Sequence, residues 1–193
     1  MRCYLISDDN YFLLGAEETL RNNNIVAEAI SINNPPPYYQ LHTLKHNDIV
    51  VVAVEDVFAR RQLIETAIGV PGRIVFMPSL TNVVETFREL PWILPMKTGL
   101  RRFIQVLEML MAKLLLPKYV NHEHLMIMDS ICRPELLASI QLTKKMTVKS
   151  LSQRKRRLLK RYGLSDSNCY GDFLCRDILS IRKKYLDKNN NTR

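Results

Sequence analysis

Six glycines in 193 residues leave no glycine-rich phosphate loop, no dinucleotide fingerprint and no nucleophile elbow. No histidine is paired with a carboxylate in a pattern that suggests catalysis, so enzymatic chemistry has little support and no cofactor is expected. The four cysteines (Cys3, Cys132, Cys169, Cys175) form no CxxC pair and read as reduced cytosolic thiols. The histidines fall in two groups, His42/His46 and His122/His124, neither adjoining a cysteine, so no metal site is expected. No apolar run approaches the ~18 residues of a transmembrane helix. The longest is "IVVVAV" at 49–54. The opening "MRCYLISDDNYF" meets two aspartates before a signal-peptide core can form. A cytoplasmic location without a membrane partner is the expectation.

What the chain has is an uneven charge. Hydrophobic residues make up 47% and charged residues 24%, a composition that buries a core. Lys and Arg number 28 against 19 Asp and Glu, for a net charge of +9. Residues 1–118 hold 12 of each sign, whereas 119–193 hold 16 basic and 7 acidic side chains. The whole excess sits in the second segment, which should face a polyanion.

The segments also differ in pattern. Short β-branched or apolar runs at 4–7, 25–32, 48–54 and 73–77, and "WILPM" ending at Lys97, alternate with helical stretches. Strands alternating with helices predict a doubly wound α/β domain over 1–118, with a five-stranded parallel sheet. The loop "NNPPPYY" interrupts the pattern, and a short helix is expected over 81–89. Apolar residues then recur at helical spacing from Leu100 to Leu115, until Pro117 stops them. Val106, Met109 and Leu116 lie off that stripe and leave a second apolar face to cover, by a partner subunit, a loop or the C-terminal segment. Residues 119–193 read as an all-α domain, with helices about 123–132, 135–145, 148–162 and 166–187.

The third of these helices carries the clearest chemistry. Thr147 can cap its start, and Gly163 can take the left-handed conformation that closes it. Leu151, Leu158 and Tyr162 fall on one face, while Lys149, Gln153, Arg156 and Lys160 fall on another. Residues 144–161 contain nine Lys and Arg and no acid. A run of one sign on one helix repels itself unless an anion meets it. The alternative is a solvated basic helix.

Two motif sets resemble a known family. Asp8-Asp9 follow the first strand, and Lys97 ends the fifth, as the acidic pair and the lysine do in response-regulator receiver domains. The stretch Lys149 to Asp166, "KSLSQRKRRLLKRYGLSD", is similar to the LuxR/FixJ-type helix-turn-helix. Ser150 stands for its threonine, Leu151 for its valine, Lys155 for its lysine, Arg157-Leu158 for the helix centre and Gly163 for the terminating glycine. The resemblance implies a flavodoxin-like receiver domain followed by a DNA-binding domain. It also implies a cytoplasmic bacterial transcription regulator that binds double-stranded DNA, as a homodimer or as a heterodimer with a related regulator. Lys149, Ser152, Gln153 and Arg156 would meet the groove, and Lys155, Arg157 and Lys160 would hold phosphates. An RNA-binding antiterminator or a partner-controlled adaptor is the alternative, although the basic stretch offers only Tyr162 for stacking.

The sequence departs from both motifs. Arg154 stands where the helix-turn-helix carries His or an aromatic on its packing face, and Lys144 stands for a buried leucine. Either the Arg154 stem lies on the core with its charge outside, or the helix is rotated. Receivers accept phosphate on an aspartate ending the third strand, and "DIVVVAVED" puts Ala53 there. Glu55 and Asp56 follow in the loop, and Pro78 precedes Ser79 where a switching Ser/Thr is usual. Asp8 and Asp9 read either as remnants of a Mg²⁺ site or as N-cap acids of the first helix. Without an acceptor, Lys97 is expected to pair permanently with these acids, and activity should be independent of phosphorylation.

Overall fold

The computed structural model describes residues 1–33, 44–45, 47–66, 73–80, 83, 91–112, 121–143, 145–164 and 168–191. Several sequence expectations lie outside them. These are most of the proline–tyrosine loop, most of the helix over 81–89, Leu114 to Pro117, His42, His46 and Lys144.

The apolar runs of the first half form β1 (Cys3–Ser7), β2 (Ala27–Ser31), β3 (Ile49–Ala53), β4 (Arg73–Phe76) and β5 (Trp92–Ile93). All pairings are parallel and the order is β2-β1-β3-β4-β5. This is the flavodoxin-like order, whose direction of winding reverses between β1 and β3. The continuous apolar character of β1 and β3 follows from burial on both faces. The fifth strand stops earlier than expected. Leu94 and Met96 still donate to the Phe76 and Pro78 carbonyls at 2.9 and 3.0 Å, and the Thr98 N–H then turns back to the Pro95 carbonyl at 2.9 Å. Lys97 therefore sits in an exposed turn.

One sheet face is covered by α1 (Asn10–Asn22) and α3 (Leu100–Ala112). Leu13, Ala16 and Leu20 of the first, and Phe103, Val106, Leu107 and Leu110 of the second, pack with Leu5, Val51, Ala53, Val75 and Trp92. Val106 is thus core rather than part of a second face, and Met109 packs half-buried against the same cluster. The helix lies rotated from its expected orientation, which removes this face as the argument for a dimer.

The opposite sheet face belongs to a layer that includes α2 (Val57–Thr66) and runs on into the C-terminal half. That half consists of α4 (His122–Cys132), α5 (Pro134–Thr143), α6 (Val148–Arg161) and α7 (Cys169–Asn191). Ile6, Val52, Ile74 and Phe76 of the sheet share one apolar cluster with Leu125, Met128, Leu158, Ile178 and Leu179. The apolar layer is continuous across the division expected at 118/119. Helix α7 is buried nearly all round from Gly171 to Arg182, charged residues included. Among the described residues no helix is long and apolar enough to cross a membrane.

Candidate nucleic-acid interface

Helix α6 begins and ends where its sequence says. The Thr147 hydroxyl accepts the Ser150 N–H at 3.1 Å. Gly163, at φ 71°, lets the Leu164 N–H reach the Leu159 carbonyl at 2.8 Å and its own N–H reach Lys160 at 3.2 Å. Those two bonds are a Schellman closure, and only glycine adopts that backbone without steric penalty. Lys145 closes α5 at φ 49°, where the Met146 N–H donates to the Gln141 carbonyl. The turn between α5 and α6 is therefore tight.

The helix has one packed and two charged sides. Leu151, Leu158 and Leu159 are buried, as is Tyr162 just beyond. Lys149, Gln153, Arg156 and Lys160 are exposed, as their 3.6-residue spacing requires. Among the described residues no carboxylate forms an ion pair with Lys149, Arg156, Arg157, Lys160 or Arg161. Ser150 and Ser152 are half-buried at its edges.

Two basic residues are engaged within the protein. Lys155 donates from Nζ to the Asp172 carboxylate of α7 at 2.8 Å, half-buried. It ties two helices together, which corrects its expected role as a phosphate holder. Arg154 is exposed and pairs with Glu123 of α4, so its charge lies outside the core. Arg157 and Arg161 project on the Arg154 side and line a groove there with Glu123, His124 and Ile127. Arg161 was missed in the sequence, although it lies one helical turn beyond Arg157.

The receiver-like end differs more. Ala53 ends β3, opposite Ser7 of β1, and its methyl group is fully buried. The register is as counted, with no shift that brings Glu55 or Asp56 to the strand end. The Ser7 hydroxyl donates to the Ala53 carbonyl at 2.7 Å and accepts the Asp9 N–H at 3.0 Å. Asp9 is the N-cap of α1, accepting from Tyr11 and Phe12. Asp56 takes the same role for α2, accepting the Ala59 N–H at 2.6 Å. Asp8 caps no helix: its carboxylate accepts the Glu55 and Asp56 N–H groups at 2.9 and 3.1 Å. The N-cap reading thus holds for Asp9 and not for Asp8. The expected ion pair of Lys97 with these acids is not formed: Lys97 is exposed, and no ion pair among the described residues involves it. Nor does any group of three or more His, Cys, Asp and Glu among them have the arrangement of a metal site.

Beside this end lies a cluster that the sequence did not announce. Arg60 of α2 donates from Nε to the Asp177 carboxylate of α7 at 2.9 Å. Its Nη1 donates to the Val54 carbonyl at 3.2 Å, and its guanidinium lies 4.6 Å from the Tyr170 ring centroid. The Tyr170 hydroxyl donates to the same carbonyl at 3.3 Å. Burial pushes the Tyr170 hydroxyl pKa up, with Arg60 opposing. The loop after β3 is therefore held by the C-terminal helix.

No family model matches the sequence, and no curated protein does. Two solved structures of the Salmonella typhimurium RcsB response regulator match, described in terms of conformational dynamism for DNA interaction. One shares 13% identity at a TM-score of 0.35, covering 90% of this chain and 98% of that one. The other shares 12% at 0.34, covering 90% and 97%. At that distance the functional reading rests on the geometry of this chain alone.

Proposed function

We propose that the chain is a sequence-specific, duplex-DNA-binding transcription regulator of the bacterial cytoplasm, without enzymatic activity and independent of aspartyl phosphorylation. The observation that carries the reading is the outer face of α6. Four long polar or basic side chains (Lys149, Gln153, Arg156, Lys160) stand exposed on one helix that has no acidic residue. A helix of this kind fits the major groove, with Gln153 suited to adenine and Arg156 to guanine. Arg157 and Lys160, which pair with no carboxylate among the described residues, would neutralise phosphates. Tyr162, the aromatic that RNA stacking would use, is buried, with Arg182 4.7 Å from its ring centroid. That favours duplex DNA over single-stranded RNA. One such helix covers a short site, so pairing on two spaced half-sites, with a second copy or a related regulator, belongs to the proposal.

The test is anisotropy of labelled duplexes selected from a random pool, with unlabelled RNA as competitor at fixed salt. The chain should select a consensus and resist the RNA. A triple change of Lys149, Gln153 and Arg156 to Ala should abolish the selection. Unaltered affinity and specificity in that variant would refute the assignment of α6.

A further inference from the structure

The groove between α4 and α6 is larger and more basic than an exposed ion pair needs. It is an open groove of about 240 Å³, room enough for a small anion. Three guanidinium groups (Arg154, Arg157, Arg161) and the His124 ring line it, with Glu123 as the single carboxylate. Ile127 and Leu158 complete the lining. Glu123 pairs with Arg154, and no carboxylate pairs with Arg157 or Arg161 among the described residues. The groove also meets the first turn of α4, where Asn121 caps the helix by accepting the Glu123 N–H at 2.9 Å. That end of a helix carries partial positive charge. Two unpaired guanidinium groups one turn apart, with a positive helix end beside them, suit an oxyanion.

We propose that this groove is a seat for a phosphate group, held by Arg157 and Arg161, with Glu123 as the internal anion that competes for it. The seat deepens the reading above, in which the phosphate belongs to the DNA backbone beside the bases met by Gln153 and Arg156. The same chemistry serves a phosphate on a free small molecule. His124 reports on occupancy. Burial lowers its pKa, Arg161 lowers it further, and Glu123 opposes them. Of the other groove residues only Arg154 and Arg157 are charged, both positive. An anion in the groove stabilises the imidazolium, so occupancy must raise the His124 pKa.

The experiment titrates the full chain with inorganic phosphate at pH 7, with chloride at equal ionic strength as the control. The His124 ring resonance, assigned with H124Q, is the readout. A saturable shift and a raised His124 midpoint are expected from phosphate and not from chloride. Both should vanish in the R157A/R161A variant, whose circular dichroism should be unchanged because both residues are exposed. E123Q should bind phosphate about fivefold more tightly, the effect of removing one exposed competing charge. No saturable response, or equal binding by R157A/R161A, overturns the seat. Duplex DNA then separates the sources. If the phosphate is the backbone's, R157A/R161A lowers the salt slope by about 1.8 for every sequence. If it belongs to a free ligand, phosphate binding is lost while the DNA slope stays. Failure to bind DNA at all would remove the proposed function and leave the phosphate titration to decide the seat.

Discussion

Arg60 and Asp177, 117 positions apart in sequence, meet at 2.9 Å with both side chains essentially out of solvent. Asp177 also lies 3.6 Å from Arg61 and 3.4 Å from Arg176, so one carboxylate serves three guanidinium groups. Removing one partner of a buried pair leaves an uncompensated charge and costs about 3–5 kcal/mol.

The cluster predicts an asymmetry. Asp177→Ala leaves three cations facing one another and should lose stability at the upper end of that range. Arg60→Met leaves Asp177 with two cations and should lose less. Arg60→Met with Asp177→Leu should recover only the part of the loss due to Arg60, because the buried Arg176 remains without its carboxylate. Urea unfolding of the four proteins gives the comparison. Equal losses in the two single variants would show that the cations do not share Asp177.

Lys155 and Lys160 should separate cleanly although both sit on α6. Lys160→Ala removes an exposed charge, so the salt slope for DNA should fall by about 0.9 for all sequences alike. Lys155→Ala breaks the contact with Asp172 and should lower stability by about 1 kcal/mol, discounted for partial exposure, with the slope unchanged. Anisotropy across a salt series, beside urea unfolding, distinguishes the two.

Acetyl phosphate with Mg²⁺ should leave the intact mass and the DNA affinity unchanged. The strand-end position is a buried methyl group, and Asp8, Asp9 and Asp56 already accept backbone N–H groups. A label on Glu55 or Asp56 accompanied by tighter DNA binding would show that the loop after β3 still switches.

Thiol labelling should find one fast cysteine in the native protein. Cys169 is exposed, whereas burial pushes the Cys3 and Cys132 thiols up to about 12 and that of Cys175 higher still. The thiolate is the reacting form, so these three should label slowly at pH 8. Asp177→Ala should speed the labelling of Cys175, two residues away on α7, if loss of the ion cluster loosens that helix. Mass spectrometry of timed samples reads both effects.

Some of this was legible because it is local. The parallel sheet shows in short apolar runs spaced by helices, and the limits of α6 show in Thr147 and Gly163. Counting along the apolar run "DIVVVAVED" places Ala53 at the end of β3 without any knowledge of the partner strands. The place of Lys97 was not readable in the same way, because its turn is closed by the Thr98 N–H on the Pro95 carbonyl only after Leu94 and Met96 have bonded to β4. Val106 was misplaced for another reason. A stripe read from one helix does not say how far the helix rotates when it docks, and neighbours in contact with α3 decide that.

The sequence by itself determined the elements, their apolar and polar faces, the basic character of α6 and the absence of a phospho-acceptor at the end of β3. Each depends on residues within one or two turns of each other, where backbone geometry fixes which side chains share a face. The tertiary structure decided which charges are spent inside the protein. Lys155 and Arg156 are neighbours of the same sign, yet one meets Asp172 and the other faces solvent. Arg60 looks like any helix-surface arginine until α7 lies over it. Ion pairing between distant residues has no period along the chain, so only the packing of helices against the sheet brings those partners within reach.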